Sequence, residues 1–142
     1  AALALHLQLH QGSRRRRLGQ TVVGQAHVQA LHPHSAAAGT AELTTAFAFR
    51  PGQYLTLRLA TGDREERRSY SICAPAGALP KVGVRRVDTG LFSEWLVDRL
   101  APGDEVEVAP PSGSFTPELG TAAHHGLVAA GSGITPVLSI AA

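Results

Sequence analysis

A regular alternation of leucine with other residues, directly after a Pro-Gly pair, most constrains what this chain can fold into. Pro51-Gly52 has the composition of a turn, and Leu55, Leu57 and Leu59 then occupy every second position. A spacing of two puts side chains on one face of a β-strand. The segment is therefore predicted to be a half-buried strand whose three leucines face a core.

Three more segments have strand character. RRSYSIC contains the β-favouring Tyr70 and Ile72, KVGVRRV has Val82 and Val84 on one face, and DEVEVAPPSGSF returns to period two near its start. DTGLFSEWLVDRL changes to helical spacing before the turn-forming APGD. Short strands joined by turns, with one helix, predict a mainly β fold built as a small closed antiparallel barrel.

The two ends of the chain differ from this pattern. Residues 1–20 are low in complexity and are predicted to be an irregular tail, and the opening strands of the barrel are hard to find before Ala46. GLVAAGSGITPVLSIAA is a continuous apolar run followed by a glycine turn and a helix-like start. That order is typical of a buried parallel strand entering an α/β domain. We therefore expect a barrel domain at 21–120 and the start of a second domain at 121–142.

Composition excludes several classes of protein. A net charge of +2 in 142 residues is too mild to indicate nucleic-acid binding, and the block Arg14–Arg17 has no interleaved aromatic residues. The single cysteine, Cys73, excludes an internal disulfide framework and favours a reducing, cytoplasmic compartment. The sequence contains no apolar run of about 18 residues, so no membrane span is expected. The histidines lack metal-ligand spacing, so no metal site is expected.

Three groups of residues could bind a ligand. On a strand, Arg68 and Tyr70 point to one side, as a diphosphate with a flat ring system would require; the alternative is an exposed strand with a surface ion pair. TGLFSEWL could offer the amides of a helix start to phosphate, or be an ordinary glycine turn. AAGSGITPV resembles a dinucleotide turn without its third glycine, or a turn that serves packing.

Together these segments carry a family resemblance. FRPGQYL, RRSYSIC, GLFSEWL, PGDEVEVAPPSGSF and AAGSGITP follow the order and spacing of the ferredoxin–NADP reductase superfamily, and the chain is similar to the reductase subunit of phenylacetyl-CoA oxygenase systems. The resemblance implies a six-stranded antiparallel Greek-key flavin-binding barrel with one capping helix. It also implies that the first strand and turn of a truncated α/β nucleotide-binding domain follow the barrel.

The resemblance assigns roles to individual residues. It implies that Arg68 contacts the flavin diphosphate, that Tyr70 packs on the isoalloxazine ring and that Ser71 reaches the N5 side, so Tyr70 and Ser71 are the expected catalytic residues. The remaining expected flavin contacts are Ser69, Val84, Arg85, Arg86, Gly90, Leu91, Phe92, Ser93 and Thr135. The expected nicotinamide-nucleotide contacts are Gly131, Gly133, Ile134, Thr135 and Pro136.

The implied function is electron transfer from NAD(P)H through FAD, preferred over FMN by family frequency, to an iron–sulfur centre. The 2Fe-2S cluster would belong to another domain or a ferredoxin, and the final partner would be an oxygenase component. This chain alone is expected to be inactive with NAD(P)H. Two alternatives remain open: a barrel fragment that cannot hold flavin because its first strands are absent, and a barrel whose basic face binds acidic partners. One departure from the family is Thr89, where members often have a glycine before Gly90.

Overall fold

The architecture is mainly β, as the sequence predicts. The structure is a computed structural model of the protein. It describes residues 16–18, 21–35, 38–45, 47–61, 64–118 and 124–142. The strands are β1 (Arg16–Leu18), β2 (Thr21–Ser35), β3 (Ala38–Thr44), β4 (Tyr54–Thr61), β5 (Arg64–Ser71), β6 (Lys81–Arg85) and β7 (Glu105–Val108). The helices are α1 (Leu91–Asp98) and α2 (Ile134–Ala141). Within these ranges there are seven strands and two α-helices, so the prediction of six strands and one helix is wrong in number.

The strands form one antiparallel sheet in the order β5-β4-β7-β2-β3-β6, with β1 paired to β2. The two end strands, β5 and β6, approach each other at an isolated bridge between Ile72 and Val82. Beside it, the amide of Cys73 donates to the carbonyl of Lys81 over 2.7 Å. The sheet therefore curls back on itself without closing its ladder, and the predicted closed barrel is open along one line. We call this gap between β5 and β6 the seam.

The core lies inside the curled sheet and under α1. The predicted inward residues are buried: Leu55, Leu57, Leu59, Val82, Val84, Val106 and Val108. They are joined by Phe92, Leu96 and Leu100 from the α1 region, with Trp95 packed against the cluster. Burial of each large apolar side chain contributes roughly 1.5–3 kcal/mol, so α1 is held to the sheet mainly by its apolar face.

A charged cluster joins three strands on another part of the sheet. Arg58 on β4 pairs with Glu65 on β5 and with Glu107 on β7, and Arg67 also pairs with Glu65. Hydrogen bonds from Arg67 and then Arg58 lower the pKa of the Glu65 carboxyl below its usual value. The cluster holds β4 between its two neighbours. It also engages the side chain of Arg67 in an ion pair outside the seam.

The opening strands, which were hard to find from the sequence, are present. β2 pairs with both β3 and β7, and its pairing with β3 shifts between Val28 and Ala30 and between Pro33 and Ser35. Arg16–Leu18, expected in an irregular tail, pairs with β2 as β1. The other residues of the predicted tail, 1–15 and 19–20, lie outside the described residues, as do 121–123 at the start of the predicted second domain.

The apolar run after the barrel does not form the predicted strand. Residues 124–130 have no regular secondary structure, and Val128 is 97% exposed. A parallel strand needs neighbouring strands for its backbone groups, and in the described part of the chain none pairs with this run. A short 3-10 turn at Gly131–Gly133 and helix α2 follow. Neither described helix is long and apolar enough to cross a membrane.

Candidate functional site

Tyr70 lies where β5 borders the seam. It is half-buried, and its ring centroid is 6.2 Å from that of Phe92 on α1, with the two planes tilted by 32°. Register places Tyr70 opposite Leu55, so its ring extends the core-facing side of the sheet toward the seam. Continuing the register of the Ile72–Val82 bridge would bring Tyr70 opposite Val84. The strand and helix that the sequence predicted to meet at a ligand are therefore in contact.

Arg68 lies on the same side of β5 as Tyr70, as predicted. Its side chain is 56% exposed and forms an ion pair with Glu66 at 2.9 Å. Its Nη1 also donates to the carbonyl of Arg67 over 2.7 Å. Sequence reasoning missed Glu66, although its place two residues before Arg68 puts it on the same strand side. The exposed guanidinium is available to an anionic ligand that can compete with one carboxylate.

The phenol of Tyr70 remains neutral at physiological pH. Burial raises the pKa of Tyr70 to about 12, while the positive charge of Arg68 opposes that shift. A neutral phenol with a half-buried ring presents a flat apolar surface and one polar tip. This is the surface that a planar heterocycle would stack on.

The two serines of the strand are on the opposite side from Tyr70 and differ in their contacts. The hydroxyl of Ser69 shares a 2.9 Å hydrogen bond with Thr56 Oγ1 across the β4–β5 pair. Ser71 is half-buried, and its hydroxyl makes no hydrogen bond within the described part of the chain. Of the two, Ser71 therefore has the hydroxyl available for a ligand.

The end of β6 forms the other border of the seam. Val84 is buried, whereas Arg85 is exposed and makes no ion pair with a described residue. Arg86 pairs with Asp98 at 3.2 Å and with Glu94 at 3.6 Å, both on α1. These pairs tie the end of β6 to the helix, so the side chain of Arg86 positions α1 rather than projecting free into the seam.

In the turn before α1, the residue with the unusual backbone conformation is not the glycine. Thr89 has a φ of 62°, in the left-handed region, while Gly90 has an ordinary φ of −86°. Gly90 is required by close approach instead, because an added Cβ would lie 2.7 Å from Ser93 Oγ and 2.9 Å from the carbonyl oxygen of Val87. A glycine at position 89 would adopt this φ without strain.

Ser93 stabilises this turn. Its buried hydroxyl accepts a 3.0 Å hydrogen bond from the amide of Val87 and donates to the carbonyl of Gly90 over 3.1 Å. The first helical bond runs from the amide of Glu94 to Gly90, and no described side chain caps the helix start. The amides of Leu91, Phe92 and Ser93 thus precede the first helical bond at the positive end of the helix dipole.

The second glycine turn is exposed and ordered by local contacts. Gly131 has a φ of 57°, and the hydroxyl of Thr135 donates to the carbonyl of Ser132 over 2.8 Å. Gly133 and Ile134 are exposed, and Thr135 and Pro136 are half-buried at the start of α2. The five predicted nucleotide residues therefore lie together in one turn.

A separate cavity of about 360 Å³ is formed by residues that follow β7 in the sequence. It is lined by Ser114, Phe115, Thr116, Pro117, His125, Gly126, Leu127 and Ile140. None of these is among the residues predicted to contact a ligand. The cavity is therefore a second candidate place for a ligand, separate from the seam.

Comparison with known proteins identifies the family. The profile of the oxidoreductase FAD-binding domain family matches residues 35–116. The chain belongs to this family. It is 47% identical over 104 residues to the ferredoxin reductase component of 3-ketosteroid-9-alpha-monooxygenase from Rhodococcus rhodochrous, an alignment that covers 70% of this chain and 29% of that protein. It is 40% identical over 105 residues to one of the subunits of 1,2-phenylacetyl-CoA epoxidase from Escherichia coli, again covering 70% and 29%. The resemblance seen in the sequence is confirmed.

Solved structures agree with the family assignment. A cytochrome P450 reductase from Amycolatopsis matches with a TM-score of 0.65 and 29% identity over 86% of this chain and 39% of its own. A ferredoxin NADP⁺ reductase from Neisseria gonorrhoeae with bound FAD and NADP matches with a TM-score of 0.70 and 19% identity, over 84% of this chain and 50% of its own. The second likeness shows the fold alone. The chain aligns with less than a third of each of the two sequence relatives.

Proposed function

We propose that this chain is the flavin-binding module of an oxidoreductase that passes electrons from NAD(P)H through FAD to an iron–sulfur centre, in the service of an oxygenase. The carrying observation is the open seam, with the half-buried ring of Tyr70 on one strand in contact with Phe92 at the uncapped start of α1. The relatives' names support the electron-transfer setting, since they include a reductase component of a monooxygenase and a component of an epoxidase.

The described residues fit the two chemical parts of FAD. Its isoalloxazine ring is planar, and Tyr70 offers a neutral aromatic face beside the seam. Its diphosphate is anionic, and Arg68 offers an exposed guanidinium while α1 offers three amides that precede its first helical bond. No described side chain caps the helix start, so a phosphate could take the place that a capping residue has in other helices.

Each residue then has a distinct task. Arg68 would exchange Glu66 for a phosphate oxygen and hold the diphosphate end, and Tyr70 would hold the ring plane and exclude water from one of its sides. Ser71, with a hydroxyl free of described partners, would donate or accept a hydrogen bond at the N5 edge. The backbone of Val84 and Arg85 would line the opposite border, while Ser93 and Arg86 keep α1 in position.

Bound FAD supplies the redox chemistry: it takes a hydride, which carries two electrons, and can release the electrons singly to a one-electron acceptor. The turn Gly131–Pro136 would carry the nicotinamide nucleotide, with Thr135 toward the flavin. The acceptor would be a 2Fe-2S cluster in another domain or a ferredoxin. Because a dinucleotide site needs several βαβ units, we propose that the described residues do not support reduction by NAD(P)H alone.

Titration with FAD tests the proposal. We expect the purified chain to bind one equivalent of FAD, to become yellow and to quench the fluorescence of the cofactor. FMN, which lacks the adenylate half, should bind more weakly. A folded chain that remains colourless at saturating FAD would contradict the proposal.

The main observation behind the alternative of a barrel fragment unable to hold flavin no longer applies. That alternative supposed that the first strands were absent, but β2 and β3 are both paired within the sheet, between β7 and β6. A barrel that only binds acidic partners through its arginines would be folded and colourless, so the same titration separates it from the flavin module.

A further inference from the structure

A buried hydroxyl links helix α2 to the segment that follows β5. Ser139 is 1% exposed, and its Oγ donates a 2.6 Å hydrogen bond to the main-chain carbonyl of Ala74. The two residues are 65 positions apart in the sequence. Elsewhere on α2, Ile134 and Leu138 are 46% and 48% exposed, and Val137 and Ile140 are half-buried. Because a buried polar group without its partner is costly, this bond selects one orientation of the helix on the barrel.

The end of α2 also approaches the turn that opens β4. A Cβ added at Gly52 would lie 3.3 Å from Ile140 Cδ1 and 1.8 Å from the carbonyl oxygen of Phe115. Gly52 also has a φ of 92°. The absence of a side chain at Gly52 therefore lets two segments come close to this turn. They are the end of α2 at Ile140, which follows Ser139, and the segment at Phe115.

The bond connects the two segments that matter for the proposed reaction. Ala74 lies three residues after Ser71, on the chain that leaves β5. Thr135 lies one helical turn before Ser139, about 6 Å along the helix axis. Because a helix of this length is rigid, the position of Ser139 determines the position of the glycine turn at the start of the helix.

We infer that Ser139 is a positioning residue, whose hydrogen bond to Ala74 sets the separation between the strand of Tyr70 and Ser71 and the turn Gly131–Pro136. The inference rests on the proposed function, because only there do these two segments hold reacting partners. Ser139 touches neither flavin nor nucleotide. It acts by limiting the angles at which the turn can face the flavin strand.

Amide hydrogen exchange in the isolated chain measures how often α2 leaves the barrel. In Ser139→Ala, loss of one buried hydrogen bond should make the α2 amides exchange roughly tenfold faster, with core strand amides unchanged. Ser139→Thr retains the hydroxyl and should recover most of the protection. Leu138→Ala, which changes an exposed neighbour on the same helix, is the matched control and should have little effect.

A second readout reports position. A nitroxide spin label is attached to the cysteine of Ser132→Cys, in a Cys73→Ser background. It should enhance the relaxation of a restricted set of amide protons near the end of β5. Adding Ser139→Ala should weaken and spread this pattern, and Ser139→Thr should restore it. FAD affinity is measured for each variant and should change little, because all the proposed flavin contacts except Thr135 lie on β5, β6 and the start of α1.

The outcomes separate the two proposals. If Ser139→Ala behaves like Leu138→Ala in exchange and relaxation, Ser139 does not position the turn. Faster exchange throughout the sheet would also overturn the inference, since it would make Ser139 a general packing residue. If exchange and relaxation change as expected but no variant or parent binds FAD, Ser139 does set the separation and the flavin function fails.

Discussion

Two adjacent arginines on β5 have different surroundings, and this predicts different effects on flavin binding. Arg68 is exposed beside Tyr70 at the seam, whereas Arg67 pairs with Glu65 in the cluster that joins β4, β5 and β7. Arg68→Ala should weaken FAD binding by roughly 1.5–3 kcal/mol, the contribution of a charged hydrogen bond. Arg67→Ala is the matched control and should change the affinity little. Equal FAD affinities of the two variants, measured by titration, would remove Arg68 from the site.

Thr89 carries backbone strain that a glycine would relieve. A β-branched residue with φ at 62° is a clear outlier, and the left-handed conformation costs an L-residue roughly 1–2 kcal/mol. Thr89→Gly should raise the free energy of unfolding in urea by up to about 1 kcal/mol, after the entropy cost of glycine is subtracted. Asp88→Gly, at an exposed neighbour without positive φ, should instead lower it. Equal destabilisation by both changes would show that Thr89 is unstrained.

The thiol of Cys73 should be unreactive at neutral pH. Burial raises the pKa of Cys73 to about 11 from its usual 9.0, with the charge of Lys81 opposing the shift. The neutral thiol is therefore favoured by folding. Its contribution to stability is complete below pH 9.0 and is lost as the pH rises through about 11. Alkylation rates followed against pH should rise around 11 in the folded chain and around 9 in urea. Coincident profiles would contradict this burial.

At the scale of elements, the start of α1 depends on the absence of a side chain at Gly90. A Cβ there would meet Ser93 Oγ and the backbone oxygen of Val87, so the helix start must move. Gly90→Ala should lower the free energy of unfolding by about 1–3 kcal/mol and weaken FAD binding. Gly126→Ala, where an added Cβ meets nothing within 4 Å, is the control and should be neutral in thermal melts. An unchanged melting temperature and FAD affinity for Gly90→Ala would refute the crowding argument.

Elements with a clear local hydrophobic period could be predicted from the sequence. The alternation of Leu55, Leu57 and Leu59 identified β4, and the spacing of Phe92 and Leu96 identified α1, because in each case one face is buried against a single core. The site pair Arg68 and Tyr70 followed from the same period. Its contact with Phe92 confirms that the two segments meet, which no local pattern could establish.

Elements that depend on distant partners were not predictable. The register shifts near Val28 and Pro33 interrupt the period of β2, so its alternation is weak in the sequence. The run at 126–130 has the composition of a buried strand, but no described strand pairs with it. The positive φ of Thr89 and the bond from Ser139 to Ala74 also depend on tertiary contacts that the local sequence does not encode.

At the scale of the whole molecule, the incomplete closure of the sheet forms the seam that we propose as the flavin site. A fully paired β5–β6 ladder would use backbone groups that have no ladder partner across the seam. Instead the strands approach at the Ile72–Val82 bridge, and α1 is held over their diverging ends by its apolar face and by the ion pairs of Arg86. The same curled sheet brings α2 to Ala74, three residues beyond the end of β5.

The most direct test of this account is where FAD binds on the chain, measured from amide chemical shifts during titration. We predict that the largest changes occur at Arg68–Ser71, at Val84–Arg86 and at Leu91–Ser93, on both borders of the seam. Arg68→Ala should reduce these changes at equal FAD concentration. If the largest changes occur instead around the cavity lined by Phe115, His125 and Leu127, with the seam unaffected, the assignment of the seam as the flavin site is wrong.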